Sequence, residues 1–316
     1  MTLSSFLKLI EIRTKIASVT PFIFGNIYVL YFYRNFNSQN FLLMFLSLLS
    51  IDMATTAVNN YQDYKKAQKK EGYNYEAHNA VVKYNLSVKS VKIVIVLLLS
   101  AAAVFGFILF LNTDIVVLFL GTISFLIGIL YTSGPVPISR TPAGEIFSGF
   151  FMGFLIPLLT IYIHNMSLIN IYTEGVFFTV QCNWVEMLKI FLATFPLTAG
   201  IANIMLANNI CDIEDDLENN RYTLPIYIGR DKSLKLFKIL YYLCYLFIMT
   251  AAIFKTIPFY ALLTFVTIPL VAKNLNCFFK KQSKKETFIL SVKNFIIINY
   301  SYIISFLIAF IIRYQF

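Results

Sequence analysis

At 316 residues, 58% hydrophobic and 13% charged, with a mean hydropathy of +0.71, the chain is too apolar for a water-soluble globule, in which roughly 25% of residues are charged. Its 32 Phe and 20 Tyr beside a single Trp exclude disordered and collagen-like classes and place it in a membrane. The 26 Lys and Arg against 16 Asp and Glu give +10, an excess that speaks for sidedness across a bilayer with an anionic inner leaflet and against nucleic acid as a partner. Cys182, Cys211, Cys244 and Cys277 are scattered singly, without the pairing a zinc site or disulfide framework needs.

A helical crossing of roughly 30 Å of hydrocarbon takes about 20 mostly apolar residues. Nine such runs occur, near 16–33, 41–60, 91–111, 115–131, 145–163, 188–208, 233–253, 257–273 and 291–312. A lone Lys8 and no small-residue cleavage site ahead of the first run predict that this span is retained. The third and fourth runs are parted only by Asn112, Thr113 and Asp114, and the seventh and eighth by Lys255 to Pro258, which predicts two tight antiparallel hairpins. With the N-terminus in the cytoplasm, 22 of the 26 cations fall inside and only Arg34, Lys189, Lys255 and Arg313 outside. This bias predicts a multi-pass protein of the cell membrane with its C-terminus outside. The expected fold is an all-α integral membrane protein, a single domain over 1–316. Two long inner connections, roughly 61–90 and 209–232, hold carboxylates beside cations, and connections of that length tend to carry function.

The second run closes with Asp52, Thr56, Asn59 and Asp63, stepping by four, three and four, one polar stripe on a helix. Such a stripe must face the bundle interior or a wet cavity, because an ionisable group against lipid costs about 2.5–3.5 kcal/mol even on the lenient insertion scale. The sixth run closes in the same way with Asn208, Asp212 and Asp216, spaced by four. Two oxygen-rich helix ends on one side suit Mg²⁺, which takes one or two protein carboxylates and completes its shell with water and phosphate oxygens. With basic residues nearby they form a plausible cradle for a diphosphate; Asp215, Glu214 and Glu218 point away from it. A secondary transporter is the competing reading of polar stripes in membrane helices.

These residues resemble the UbiA-type superfamily of intramembrane aromatic prenyltransferases, marked by nine transmembrane helices, an N-D-x-x-D-x-x-x-D motif after the second and a D-x-x-x-D motif after the sixth. Here the motifs read NNYQDYKKA and DIEDD. The segments NNICDIEDDLENNRYTLPIYIG and YTSGPVPISRTPAGEIFSGFFMG are most similar to the bacterial 1,4-dihydroxy-2-naphthoate polyprenyltransferases of menaquinone synthesis. Asn60 and Ala67 stand where that first motif carries its first and last Asp, and Cys211 where the second is often preceded by Arg. Glu71 and Glu76 are the carboxylates that could fold back in compensation. The resemblance implies a bundle around a central cavity open to the cytoplasmic side and laterally to lipid. It also implies Mg²⁺-dependent transfer of a polyprenyl group from its diphosphate to dihydroxynaphthoate, with loss of CO₂ and diphosphate. The alternatives are another acceptor such as 4-hydroxybenzoate, or a non-enzymatic transporter.

In that frame Asn59 and Asp63 would help hold one metal, and Asp212 and Asp216 the other, with Asp63 and Asp212 in catalysis. Basic residues finish the clamp on the leaving group: Lys65, Lys83, Arg140 and Arg221, with Arg13 by its likeness to the basic residue entering the family's first helix. Tyr131 is the aromatic expected over the developing allyl cation. Asp52, Asn60 and Asn208 are the acceptor-binding candidates, and Glu145 opens the fifth span on the same side. The partners implied are the two substrates and membrane lipid.

Overall fold

The computed structural model describes residues 1–67, 76 and 79–315. Among these, nine helices are long and apolar enough to cross a membrane: α1 (Ile12–Phe32), α2 (Ser38–Lys66), α3 (Val88–Leu111), α4 (Ile115–Thr132), α5 (Gly144–Tyr162), α6 (Trp184–Cys211), α7 (Arg230–Ile253), α8 (Phe259–Lys280) and α9 (Ile289–Tyr314). All nine sequence runs are found. Both tight hairpins are present, α3 to α4 and α7 to α8, the first fixed by Asp114, which caps α4 by accepting from Val116 N–H at 2.9 Å and takes the hydroxyl of Tyr162. Two spans run six or seven residues past their expected ends, α2 to Lys66 and α8 to Lys280; α2 continues through the whole polar stripe because Gln62, Lys65 and Lys66 are good helix formers that hydropathy does not see.

Three spans are not uniform α-helix, and the first of them, α1, opens with a 3₁₀ turn over Ile12–Lys15. In α5 the stretch Phe151–Leu155 is a π turn between two α-helical halves. Pro157 lacks an N–H, and its ring would clash with the carbonyl of Gly153; the wider turn removes both conflicts. α8 begins as a 3₁₀ helix over Phe259–Thr267 and becomes α-helical at Ile268, where Pro269 again sits in a first turn. One non-helical element lies between α5 and α6: the antiparallel hairpin of β1 (Ile169–Glu174) and β2 (Phe177–Cys182). Its turn uses Gly175 at φ +59°. Ile, Tyr, Phe and Val recur in the two strands, the β-branched and aromatic residues that favour extended backbone.

Chain direction alternates from span to span, so the C-terminal ends of α2, α4, α6 and α8 gather with the N-terminal ends of the odd helices. We call this the motif end. The buried apolar residues form two large clusters. One joins Phe22, Phe24 and Tyr28 of α1 to Leu197 and Ile201 of α6 and Tyr302 and Phe306 of α9. The other joins Leu206 of α6 to Phe237 and Tyr241 of α7, Phe278 of α8 and Ile298 of α9. α6, which carries the second motif, runs through both.

Lipid is as apolar as leucine, so helices in a bilayer associate through close packing rather than exclusion from water, and small residues allow it. A methyl group on Gly153, at the π turn, would lie 2.3 Å from the Thr198 Cα, and one on Gly149 2.8 Å from the Thr198 carbonyl oxygen. α5 and α6 therefore meet backbone to backbone. Charge sets the other constraint. Lys15 of α1 is buried, and its ammonium donates to Asp52 Oδ1 at 2.6 Å, Asp52 O at 3.0 Å and Thr56 Oγ1 at 2.7 Å, while Ser18 Oγ donates to Asp52 Oδ2. All three protons of the ammonium are used. At the opposite end His164 is buried: its Nδ1 accepts from Asn37 N–H and its Nε2 contacts Asn26 Oδ1, each at 3.0 Å. Burial lowers its pKa to about 4, so it is a neutral structural ring.

Gly153→Ala should destabilise the detergent-solubilised protein by about 1–3 kcal/mol, as overpacking of a core does. Gly121→Ala, where nothing lies within 4 Å of the added methyl, should not; thermal unfolding read by circular dichroism compares them. Lys15→Met should cost about 3–5 kcal/mol because it strands a buried carboxylate. Adding Asp52→Leu should return most of that loss in the same assay.

Candidate active site

The last two turns of α2 split their polar side chains between two tasks. Asn60 is buried and faces the N-terminal segment: its Nδ2 donates to Leu9 O at 3.2 Å and Glu11 Oε1 at 3.1 Å, and its Oδ1 accepts from Ala80 N–H at 3.1 Å. It ties the chain start and the returning loop to α2. Asp63, three residues on and about 60° round the helix, has its Oδ1 3.5 Å from an Arg140 nitrogen. Asn59, on the stripe between Thr56 and Asp63, is half-buried.

α6 ends at Cys211, and Asp212 leaves the regular helix at φ −105°, ψ 10° before a short helix over Ile213–Glu218. Asn219 and Asn220 then close that helix in a Schellman turn. Asn220 takes φ +53°, Asn220 N–H donates to Leu217 O at 3.2 Å, and Arg221 N–H to Asp216 O at 2.8 Å. Asn tolerates the left-handed conformation such a turn requires. The turn brings Arg221 back over the helix it has just left, with its Nε 3.7 Å from Asp216 Oδ1. Thr223 Oγ1 donates to Asp216 Oδ2 at 3.2 Å. Burial raises the Asp216 carboxyl to a pKa of about 6, with Arg221 opposing and Asp212 adding to the rise.

A residue that motif spacing does not reveal completes this end. Lys284, in the α8–α9 connection, donates to both Asp212 Oδ2 and Asn208 Oδ1, which confirms that these two share a helix face. In the sequence Lys284 is one of six cations between Lys273 and Lys293. Only the alternation of spans, which delivers this connection to the motif end, distinguishes it.

The α4–α5 connection lies between the two carboxylate ends. After Tyr131, Gly134 at φ +109° turns the chain, and a 3₁₀ turn over Ile138–Arg140 presents the guanidinium. Arg140 O accepts from Tyr222 N–H at 3.0 Å, joining this loop to the one that carries Arg221. Burial and the neighbouring Arg221 charge lower the Arg140 pKa, while Asp63 and Asp216 raise it. Arg140 is thus in electrostatic reach of both motifs and of the second arginine. Its side chain is 20% exposed, that of Arg221 25% and that of Asp63 35%, so the cluster is open to an incoming anion.

Below the arginines, Tyr131 Oη lies 3.4 Å from Gly144 O, to which it donates, and Tyr131 senses the charges of Glu145 and Arg221. Glu145 is buried, 4% exposed, and its Oε1 accepts from Asn209 Nδ2 at 2.8 Å. Asn209 Oδ1 accepts in turn from Asn208 Nδ2 at 3.4 Å. A chain of side chains therefore runs from Asp212 through Lys284, Asn208 and Asn209 to Glu145.

Of the sequence-predicted residues, Asp63, Arg140, Tyr131, Asp216 and Arg221 converge through these electrostatic links, and Asn208 and Asp212 join through Lys284. Asp52 is engaged deeper by Lys15, and Asn60 by the chain start. Arg13, Lys65 and Lys83 are exposed, and among the described residues none forms a salt bridge with a motif carboxylate; the Lys83 ammonium lies 5.9 Å from the Tyr84 ring centroid. Glu76 is exposed, and Glu71 lies outside the described residues. Among the described residues no three His, Cys, Asp or Glu side chains gather as a ready-made metal cage. The donors are hard oxygens, one or two carboxylates at each end beside two arginines. That set fits Mg²⁺ shared between protein and diphosphate, and does not fit a metal held by protein alone.

Comparisons with known proteins agree with this architecture. Residues 18–298 match the model of the UbiA prenyltransferase family. The chain is 27% identical over 257 residues to the 1,4-dihydroxy-2-naphthoate octaprenyltransferase of Bacillus subtilis, covering 81% of this chain and 76% of the relative. Its fold resembles that of a UbiA homologue from Aeropyrum pernix, at TM-score 0.65 and 17% identity over 93% of this chain and 98% of the other. It also resembles a UbiA homologue from Archaeoglobus fulgidus solved with GPP and Mg²⁺, at TM-score 0.62 and 13% identity over 96% and 98%. With the family match over residues 18–298, nine candidate membrane helices among the described residues and two carboxylate-bearing helix ends at one end of the bundle, the chain belongs to the UbiA prenyltransferase family of membrane enzymes.

Proposed function

We propose that this enzyme transfers a polyprenyl group from polyprenyl diphosphate to 1,4-dihydroxy-2-naphthoate, with loss of diphosphate and CO₂, giving demethylmenaquinol for menaquinone synthesis. The observation that carries the donor half is the meeting of the two carboxylate ends on Arg140 and Arg221. The likeness to the Bacillus subtilis enzyme over most of both chains supports the choice of acceptor. The positive-inside bias supports a cytoplasmic motif end.

The chain's own residues divide the work. Arg140 and Arg221 present planar forks that match phosphate oxygens two at a time. Asn59 and Asp63 from α2, and Asp212 and Asp216 from α6, would hold Mg²⁺ against the diphosphate. When bound there, Mg²⁺ supplies Lewis-acid neutralisation of the departing diphosphate. Tyr131, at the end of α4 and in the field of Arg221, offers an aromatic face to the positive charge that grows on the allylic carbon. Lys284 stands in for positive charge at Asp212 while the donor is away, and keeps that carboxylate from being buried unpaired. Lys65, Lys83 and Arg13 are placed to draw the anionic substrate toward the site without gripping it.

Membranes containing the protein, given dihydroxynaphthoate, a polyprenyl diphosphate and Mg²⁺, should form a prenylated, decarboxylated product visible by mass spectrometry. Asp63→Ala and Asp212→Ala should abolish it. Arg140→Ala should lower turnover about 10²–10³-fold, the usual loss on removing one group that stabilises transition-state charge, and Arg140→Lys should recover only part. Turnover with another phenol and none with the naphthoate would discard the acceptor assignment and keep the chemistry. Lys284→Ala should tighten Mn²⁺ binding to the substrate-free protein several-fold by electron paramagnetic resonance titration, since the ammonium no longer competes for Asp212.

A further inference from the structure

Four acids at the motif end are each matched with one cation. Asp52 has Lys15, Asp63 has Arg140, Asp212 has Lys284 and Asp216 has Arg221. Among the described residues Glu145 forms no ion pair. Its Oε1 has the Asn209 amide, and its Oε2 is buried with no hydrogen-bond partner. A buried polar atom left unsatisfied costs about 1–3 kcal/mol, more when charged, and invites an explanation in function.

The location supplies one. Glu145 follows Gly144, whose carbonyl accepts from Tyr131, and Tyr131 is in the field of both Glu145 and Arg221. The unpartnered oxygen therefore belongs to the side chains beside the reacting allylic carbon in the reading above. The three acceptor candidates from the sequence already have protein partners: Asp52 in Lys15 and Ser18, Asn60 in Leu9, Glu11 and Ala80, and Asn208 in Lys284. Glu145 keeps a hydrogen-bond acceptor in reserve, and the Asn209 amide on its other oxygen fixes its orientation.

We propose that Glu145, held by Asn209, is the group that takes the proton from the ring hydroxyl of the aromatic acceptor and returns it after carbon–carbon bond formation. This rests on the prenyltransferase reading of the preceding subsection. In the balanced step, the hydroxyl next to the carboxyl-bearing carbon gives its proton to Glu145 Oε2, and its electron pair moves into the ring. The carboxyl-bearing carbon bonds to the allylic carbon as the carbon–oxygen bond to diphosphate breaks. The product of that step is a ketone with a carboxylate on the adjacent carbon. The carbon–carbon bond to the carboxylate then breaks, CO₂ leaves, and the electron pair restores the aromatic ring as a phenolate, which recovers the proton from Glu145. The glutamate ends as it began, and no oxidant or co-reactant is consumed.

The test uses the full-length protein in detergent or membranes, with wild type, Glu145→Gln, Glu145→Asp and Asn209→Ala. Two readouts separate the halves of the reaction: binding of an unreactive geranyl thiolodiphosphate with Mg²⁺, and product formation from dihydroxynaphthoate. Glu145→Gln should bind the thiolodiphosphate within about threefold of wild type and lose product formation about 10²–10⁴-fold, the range for a general base. The loss should lie in kcat more than in the acceptor KM. A ring-fluorinated dihydroxynaphthoate, whose hydroxyl ionises more readily, should restore part of the Glu145→Gln rate while helping wild type little. A purely structural role would not produce that recovery. Glu145→Asp should keep more activity than Glu145→Gln, and Asn209→Ala should fall between Glu145→Gln and wild type. Product formation by Glu145→Gln within threefold of wild type overturns the proposal, as does loss of thiolodiphosphate binding in Glu145→Gln, or a loss that fluorination does not ease. If wild type turns over another phenol instead, the same comparison applies to that phenol; if it turns over none, the function reading falls and this proposal with it.

Discussion

The structure at the motif end is governed by the cost of placing carboxylates where water is scarce. A charge taken out of water loses several kcal/mol of solvation unless a close counter-charge and hydrogen bonds replace it. The chain meets this demand at Asp52, Asp63, Asp212 and Asp216 with a separate cation for each, and each cation comes from a different part of the sequence. Lys15 heads α1, Arg140 sits in the α4–α5 connection, Arg221 follows α6, and Lys284 lies between α8 and α9. The pairings therefore do more than neutralise charge. They stitch four distant segments to α2 and to the end of α6 and hold a cluster of opposite charges, which on the proposed function exchanges partners when the diphosphate arrives with its metals.

The Lys15 pair differs in kind from the others. All three ammonium protons are committed, two of them to Asp52 and one to Thr56, so the deep half of the α2 stripe is a closed structural joint. The arginine contacts are longer, 3.5 Å to Asp63 and 3.7 Å to Asp216, and partly open. A gradient from saturated to loosely engaged polar groups thus runs along one helix face toward the edge of the bundle, which is the arrangement a site for a diphosphate headgroup requires. Beneath it, the glycine contacts between α5 and α6 fix how far Glu145 on one helix stands from Asn209 on the other. A side chain at Gly149 or Gly153 would prise that pair apart.

The helices and their order were legible because crossing hydrocarbon imposes a length and an apolarity that few other structures share. The stripe on α2 and the spacing on α6 were legible for the same reason, since a polar residue in such a span stands out against its neighbours. Which partner each carboxylate takes was not. Lys15 and Lys284 look like any inner-leaflet cation until the helices are packed, and Asn60, beside Asn59 in sequence, turns out to face the chain start because successive residues on a helix point about 100° apart. The Schellman turn that returns Arg221 to Asp216 was hidden in Asn219-Asn220, and the π turn of α5 in a proline four residues from a glycine. These are local backbone decisions that hydropathy averages away.

On the proposed function, the ends of α2 and α6 form one diphosphate site through Arg140 and Arg221. It is tested most directly by an experimental structure of the protein with an unreactive prenyl thiolodiphosphate and Mn²⁺, whose anomalous scattering locates the metal. The expected result is metal between the diphosphate and the carboxylates of both ends, Asp63 on one side and Asp212 or Asp216 on the other, with both guanidinium groups on phosphate oxygens and Lys284 withdrawn from Asp212. Diphosphate bound at the opposite end of the bundle, or metal on one motif with the other still paired to its lysine and arginine, would contradict it.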